Sequence, residues 1–324
     1  MKQQFMRTAT AALIGAAIGA TPALAQTYPS KTIRLVLSFS AGSGSDTIGR
    51  ILAGAMSEAL GQQVIADNRA GAAGNIGAEI AARTAPDGYT LMLANIGHAA
   101  NVTLYRNMGY DILRDFAPVT QVASAPALVV VHPSLPVKTM AELVKLAKAK
   151  PGAINYASGG TGTFTFLAAE LFKGQAGVDI LHVPYKGGGP ALLAVVGGEV
   201  AVYFAPLGIS LPHVRQGRLR ALAVTTLKRV PMVPELPTVA DSGLPGFEAG
   251  NWFGLLAPAA TPKPVINTIH DATVKWLNAP GAARLLDELA YVRIGNTPEA
   301  FAAHIKSEVA RLGKIVRALK LTAD

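Results

Sequence analysis

A chain of 324 residues without one cysteine has no disulfide framework, no thiol nucleophile and no lipid-attachment site, so its stability must come from a packed apolar core. Half of the residues are hydrophobic, and 29 Lys and Arg stand against 20 Asp and Glu, a formal charge of +9. The basic residues are scattered, with no block and no interleaved aromatics, which argues against nucleic acid and leaves an anionic small molecule or a membrane surface as the partner.

Lys2 and Arg7 precede an uncharged stretch over residues 8–30, in which 11–20 are apolar and mostly small. A membrane span needs about 20 well-packed apolar residues, more than this run offers. The stretch closes on Ala23-Leu24-Ala25, the small-x-small pattern of a signal-peptide cleavage site. These features predict a signal peptide over 1–25, a mature start at Gln26 and a free periplasmic protein. Removing Lys2 and Arg7 lowers the formal charge from +9 to +7. No later stretch reads as a transmembrane helix.

The mature chain repeats one pattern: an apolar β run, a Gly/Ser loop, then a helical stretch. Residues 33–39 predict a strand, 40–46 a loop and 47–60 a helix ended by Gly61; a strand at 63–66, a helix at 75–83 and a strand at 90–94 follow. Such alternation argues for a parallel sheet with helices on both faces, with ligands beyond the carboxyl ends of the strands. The pattern restarts after Ala125. A strand at 128–131, a helix at 140–148 stopped by Pro151-Gly152, a strand at 154–156, a loop at 157–163 and a helix at 164–172 come first. Strands at 180–183, 201–204 and 219–225 lead to a Pro-rich connector over 231–245, a last strand at 252–256 and helices at 264–277, 282–288 and 298–319. Two copies of strand, glycine loop and helix predict an α/β protein of two similar lobes. Lobe 1 takes 26–124 and 250–324, and lobe 2 takes 125–249. The chain then crosses near 123–125 and again near 249–252, and two crossings form a hinge.

The glycine loops carry the candidate chemistry. In Ser40-Ala41-Gly42-Ser43-Gly44-Ser45-Asp46 the glycines let backbone N–H groups turn toward a ligand, and Ser45 or Asp46 can cap the next helix. A helix start offers unpaired donors and partial positive charge, which suits an anion. The second loop, Ser158-Gly159-Gly160-Thr161-Gly162-Thr163, repeats this from the other lobe, so one carboxylate between them accounts for both. The stretch Val183-Pro184-Tyr185-Lys186-Gly187-Gly188-Gly189-Pro190 adds a third wall, with Lys186 either a ligand contact or a solvated surface lysine. As a dinucleotide fingerprint the first loop fails, because Thr47 stands where a third glycine belongs. Asp67 does lie near the ribose-binding spacing and keeps a nucleotide alternative open.

The catalytic inventory is poor. The six histidines (98, 132, 182, 213, 270, 304) make no metal-ligand spacing, and neither G-x-S-x-G nor S-x-x-K occurs. No cofactor, no metal site and no catalytic residue is predicted. His98, just past Asn95-Ile96-Gly97, is either a ligand contact or a hydrogen-bonded structural residue.

Several segments together resemble the solute receptors of tripartite tricarboxylate transporters, often called the Bug family. They include Asp67-Asn68-Arg69-Ala70-Gly71-Ala72-Ala73-Gly74-Asn75-Ile76-Gly77, Ala85-Pro86-Asp87-Gly88-Tyr89-Thr90-Leu91 and His182-Val183-Pro184-Tyr185-Lys186-Gly187-Gly188-Gly189-Pro190-Ala191. Pro237-Thr238-Val239-Ala240 and Gly254-Leu255-Leu256-Ala257-Pro258 extend the likeness over essentially the whole mature chain. The resemblance implies a two-lobed periplasmic binding fold of the type with two crossings, and a carboxylate held in the inter-lobe cleft. It also implies a monomer delivering its ligand to membrane transporter subunits; a sensory receptor reporting to a membrane signalling protein has the same sequence features. The ligand-contact candidates are Phe39, Ser40, Gly42, Ser43, Ser45, Asp46, Asn95, His98, Ser158, Gly160, Thr161, Gly162, Thr163, Phe164, Tyr185, Lys186 and Ala205. Three departures from the family pattern stand out. Ser38-Phe39-Ser40-Ala41-Gly42-Ser43 replaces Pro-Phe-Pro-Pro-Gly-Gly, Phe164 and Phe166 stand where a small residue and a His are common, and Ala205 stands where relatives often carry Asp. The last two suggest an apolar or aromatic carboxylate rather than an amino acid.

Overall fold

Ile33–Leu37 (β1) buries four of its five residues, as a strand covered on both faces must. In the computed structural model, which describes residues 28–323, β1 runs parallel to Val64–Asn68 (β2) on one side and Thr90–Asn95 (β3) on the other. The expected signal peptide and its cleavage site lie outside the described residues. Helices Gly44–Leu60 (α1) and Asn75–Ala82 (α2) cross between these strands. Ile96–Leu104 (α3) follows β3 directly, and Phe116–Ala125 (β4) ends the first pass.

The chain then enters a second sheet through Ala127–Val131 (β5). Met140–Ala149 (α4), Asn155–Ser158 (β6), Phe164–Ala176 (α5), Leu181–Pro184 (β7), Gly188–Val196 (α6), Val202–Pro206 (β8), Leu207–Arg215 (α7) and Arg220–Val224 (β9) complete it. Its strand order is β7-β6-β8-β5-β9. Asn251–Pro258 (β10) returns to the first sheet, between β3 and β4 and antiparallel to both. Lys263–Leu277 (α8), Pro280–Glu288 (α9), the short strand Val292–Arg293 (β11) and Pro298–Ala318 (α10) follow, and the first sheet reads β11-β4-β10-β3-β1-β2. The fold is two α/β lobes of the periplasmic binding type. No described helix is long and apolar enough to cross a membrane.

The two crossings lie side by side. One is Pro126, between the end of β4 and the start of β5; the other enters β10 at Asn251. The fully buried Thr225 joins them. Its N–H donates to the Ala127 carbonyl, its hydroxyl donates to the Ala249 carbonyl, and its own carbonyl accepts from Ala249 N.

Besides the two-residue β11, four helices and strands escape the sequence pattern. β4 carries Pro118 and polar Thr120 and Gln121, so it lacks a continuous apolar run. α3 begins where β3 ends, without a loop to announce it. α6 opens on Gly188-Gly189-Pro190, residues that read as a turn; Pro is tolerated there because the first helical N–H groups have no intrahelical partner. α7 contains Pro212. Conversely, α1 starts at Gly44, three residues before the expected 47, because the Ser43 hydroxyl caps it by accepting from Asp46 N.

Candidate functional site

Besides α7, whose cap is Pro206 and whose leading N–H at Leu207 donates to Pro126 O, three helices begin at the cleft with little or no side-chain capping. At α1 the Ser43 hydroxyl reaches only the third helical N–H, that of Asp46, at 3.2 Å. At α5 the capping residue Thr163 donates its hydroxyl to Gly160 O at 2.7 Å, and no side chain caps the helix. At α6 the capping position is Gly187, which has no side chain to offer. The first-turn residues Gly44 and Ser45, Phe164 and Thr165, and Gly188 all line one inner chamber. The leading N–H groups of a helix lack intrahelical partners and carry roughly half a positive charge between them. Two lobes thus aim three such ends at one space, an arrangement that takes an anion without a cationic side chain.

The inner chamber has a volume of about 70 Å³ and opens onto an outer one of about 440 Å³; Phe39, Ser40, Gly159, Thr163 and Gly187 line both. Among the described residues no Asp, Glu, Lys, Arg or His side chain lines the inner chamber, whereas Lys186 lines the outer one. Tyr291 donates to Gly44 O at 3.2 Å and Tyr203 to Gly188 O at 3.3 Å. Burial raises both phenols, Tyr291 to about 12, so they stay neutral. Asn95 Nδ2 donates to Ser45 Oγ at 3.1 Å, and Asn251 Oδ1 accepts from Ile96 N at 3.4 Å.

Among the candidates, Phe39, Ser40, Ser43, Ser45, Asn95, Thr163 and Phe164 line the inner chamber, and Gly160, Thr161 and Lys186 the outer one. Seven others lie off both walls, each for a physical reason. Gly42 takes a positive φ of 77° to turn its N–H onto Asp46 Oδ2 at 3.0 Å, and so shapes the loop. The Asp46 carboxylate is engaged by Gly42 N, Asn68 Nδ2 and Arg50. Burial pushes this carboxyl up, but the hydrogen bonds from Arg50, Gly42 and Asn68 outweigh it and hold it below the usual carboxylate range. His98 is fully buried and accepts from Asn95 N at 3.1 Å, half of a capping box at the start of α3. Ala205 is fully buried in the core of the second sheet. Gly162 presses against the other lobe, where an added Cβ would lie 2.8 Å from Asn101 Oδ1 and 2.9 Å from Ala73 Cβ. Tyr185 ties down the second loop through its N–H, which donates to Ser158 O at 2.9 Å.

Ser158, the seventh, holds the loop from below. It is fully buried, pairs with His182 Nε2 at 2.6 Å and accepts from Gly160 N at 3.0 Å. His182 stacks on Tyr156 at 4.9 Å and meets Phe166 at 4.9 Å, so Phe166 packs within its own lobe while Phe164 faces the cleft. Thr165 Oγ1 accepts from Gly159 N at 2.9 Å. The amides of Gly159 and Gly160 are therefore occupied in shaping the loop. Ser158→Ala leaves the part-buried Gly160 N without its acceptor and His182 without its partner; the thermal stability of the receptor should drop by about 1–2 kcal/mol. Calorimetric melts of the variant check this.

The candidate residues leave out Gly44, Gly159, Gly187 and Gly188, which lie within the predicted loop stretches, Thr165, just past the second loop, and also Ala125, Tyr203, Pro206, Ile209, Asn251, Phe253 and Tyr291. Asp67 carries no ribose site: its carboxylate is held by Arg34 at 2.6 Å and Arg69 at 3.1 Å. Among the described residues no group of three or more His, Asp or Glu gathers to hold a metal.

The model of the tripartite tricarboxylate transporter family receptor matches residues 48–321. The chain belongs to that family. BugT of Bordetella pertussis is 34% identical over 300 residues, 92% of either chain. Among solved structures, the R. palustris protein Rpa4515 with adipate superposes with a TM-score of 0.87 at 36% identity, covering 91% of this receptor and 99% of that chain. MatC of Rhodopseudomonas palustris with bound malate gives 0.85 at 31% identity, covering 89% and 100%. The receptor is a periplasmic solute-binding protein of this family and not an enzyme, and two of the solved structures similar to it hold small carboxylates, adipate in Rpa4515 and malate in MatC.

Proposed function

We propose that the receptor holds its carboxylate between the starts of α1, α5 and α6 and presents it, as a monomer, to the membrane subunits of a tripartite transporter. Residues 1–25 are removed on export in this reading. One lobe then comprises 26–124 with 250–324, and the other 125–249. The observation that carries the reading is the convergence of incompletely capped helix starts from both lobes on one chamber without a charged side chain. Each lobe supplies only part of the donor set, so anion binding and lobe contact go together. The adipate and malate of two similar structures support a carboxylate as the anion.

A thermal-shift screen of organic acids on the chain from Gln26 tests this. A fitting acid at 100 times its Kd should add about 2.7 kcal/mol of stability by mass action, and it should be recovered unchanged after long incubation. Product in excess of protein, or stabilisation by neutral amides equal to that by the acids, would overturn the proposal.

A further inference from the structure

We infer that the receptor prefers a monocarboxylate with a compact apolar or aromatic body over dicarboxylates and amino acids. The inference rests on the carboxylate reading above and adds the chemistry of the rest of the ligand.

The two chambers separate the two ends of a ligand. Ser40, Gly159 and the helix caps Thr163 and Gly187 line both chambers and mark a waist, and the first-turn residues Gly44, Ser45, Phe164, Thr165 and Gly188 lie just inside it, on the inner side. A carboxylate held there sends its body either outward past Lys186 or inward. The inward space is walled by Ala125, Phe164, Pro206, Ile209 and Phe253. An apolar body placed there leaves water in proportion to its area and gains accordingly.

A charged body does not. The inner chamber has no side-chain carboxylate to receive an ammonium and no side-chain cation to receive a second carboxylate. The loop's own acid, Asp46, is taken by Gly42, Asn68 and Arg50. A buried charge without a partner is costly enough that such ligands are turned away. A dicarboxylate reaches a cation only by extending outward to the exposed Lys186, which leaves the apolar chamber unfilled. Size points the same way. The volume of about 70 Å³ admits about five to seven waters at 10–15 Å³ each, the space of one six-membered ring or a short alkyl chain. The expected side-chain basis changes as a result: Ala205, in the core, has no part in it, and the absence of charge along the whole inner wall replaces it.

Calorimetry on the chain from Gln26 decides, with benzoate and hexanoate as probes against adipate, malate, aspartate and the neutral isostere benzamide. Benzoate or hexanoate is expected to bind at least tenfold tighter than each of the three polar acids. Adipate, malate or aspartate bound as tightly as both probes overturns the preference and leaves the carboxylate reading standing. Benzamide equal to benzoate, or no acid bound at all, overturns both. The half-buried Ile209 on α7 supplies an independent arm. Ile209→Lys, shown by circular dichroism to be folded, should gain adipate affinity and lose benzoate affinity, each at least tenfold. An unchanged ranking in that folded variant overturns the inward placement of the ligand body.

Discussion

Exchanging Gly208 for alanine is expected to weaken ligand binding roughly 10- to 100-fold while leaving the ligand-free receptor as stable as before. Gly208 is the second residue of α7, in the lobe of the second sheet. A Cβ built there would lie 2.4 Å from the Leu289 carbonyl oxygen, which ends α9 in the other lobe. The obstacle is backbone and cannot rotate aside as a side chain can. Its own helix would welcome the change, since alanine is favoured over glycine by up to about 1 kcal/mol. Overpacking costs about 1–3 kcal/mol, or close to tenfold for each ~1.4 kcal/mol. That cost falls only on the arrangement in which the lobes touch. Calorimetry with a bound acid, beside thermal melts without it, separates the two effects. Gly54→Ala is the control: it makes the same change on the exposed side of α1, with nothing within 4 Å of the new atom, and should leave affinity unchanged. Full affinity in Gly208→Ala would mean that ligand capture does not require this approach.

The second large effect concerns acid. The buried His98 ring accepts from Asn95 N, stands edge-on to Phe39 at 5.6 Å and faces Gly74 with Nε2. Burial holds its pKa down at about 4, against 6.5 for a free histidine. Between these values the unfolded chain binds a proton that the folded chain refuses. The stabilising contribution is therefore complete above pH 6.5 and is lost as pH falls toward 4, by roughly 3 kcal/mol in all. His182, His213 and His304 are lowered as well, each chiefly by burial, and act in the same direction. Urea midpoints measured from pH 7 to pH 4 should fall steadily. His98→Gln keeps an acceptor at the third helical position, as a capping box requires, and removes the titrating group. Its pH dependence should be visibly shallower, and an identical slope would assign the acid sensitivity to other groups.

These two residues also show what the sequence can and cannot express. The strands β1, β3 and β5 are legible because their apolar runs are short and bounded by glycine, proline or polar turns. The glycine loops are legible because few residues other than glycine serve where the backbone must turn sharply next to a helix start. The side to which a buried strand points is not. β8 buries Val202, Tyr203, Phe204 and Ala205 without a break, so no polar alternation reveals which face meets the chamber; Tyr203 and Ala205 share that face, and of the two only the long tyrosine side chain reaches the chamber wall. His98 misleads for a related reason. It follows a strand end, where ligand contacts gather, but the same position is the third residue of a helix that starts without a loop. Tyr291, Asn251 and Phe253 reach the cleft only because the chain returns to the first sheet after the second lobe is complete, a relation between distant segments that local pattern does not carry.

Thr225 gives the molecule a mechanical character of its own. The hydroxyl, the N–H and the carbonyl of this one residue tie Ala127 in the first crossing to Ala249 in the second. A swing of the lobes about an axis through this tied pair is a motion that can keep all three hydrogen bonds. On such an axis the rim of the cleft travels farthest and the wall around Ala125 and Asn251 hardly moves. Phe164, Pro206 and Ile209 on one side of the chamber and Asn95, Phe253 and Tyr291 on the other belong to different lobes, so the space for the ligand body is whole only when the lobes meet.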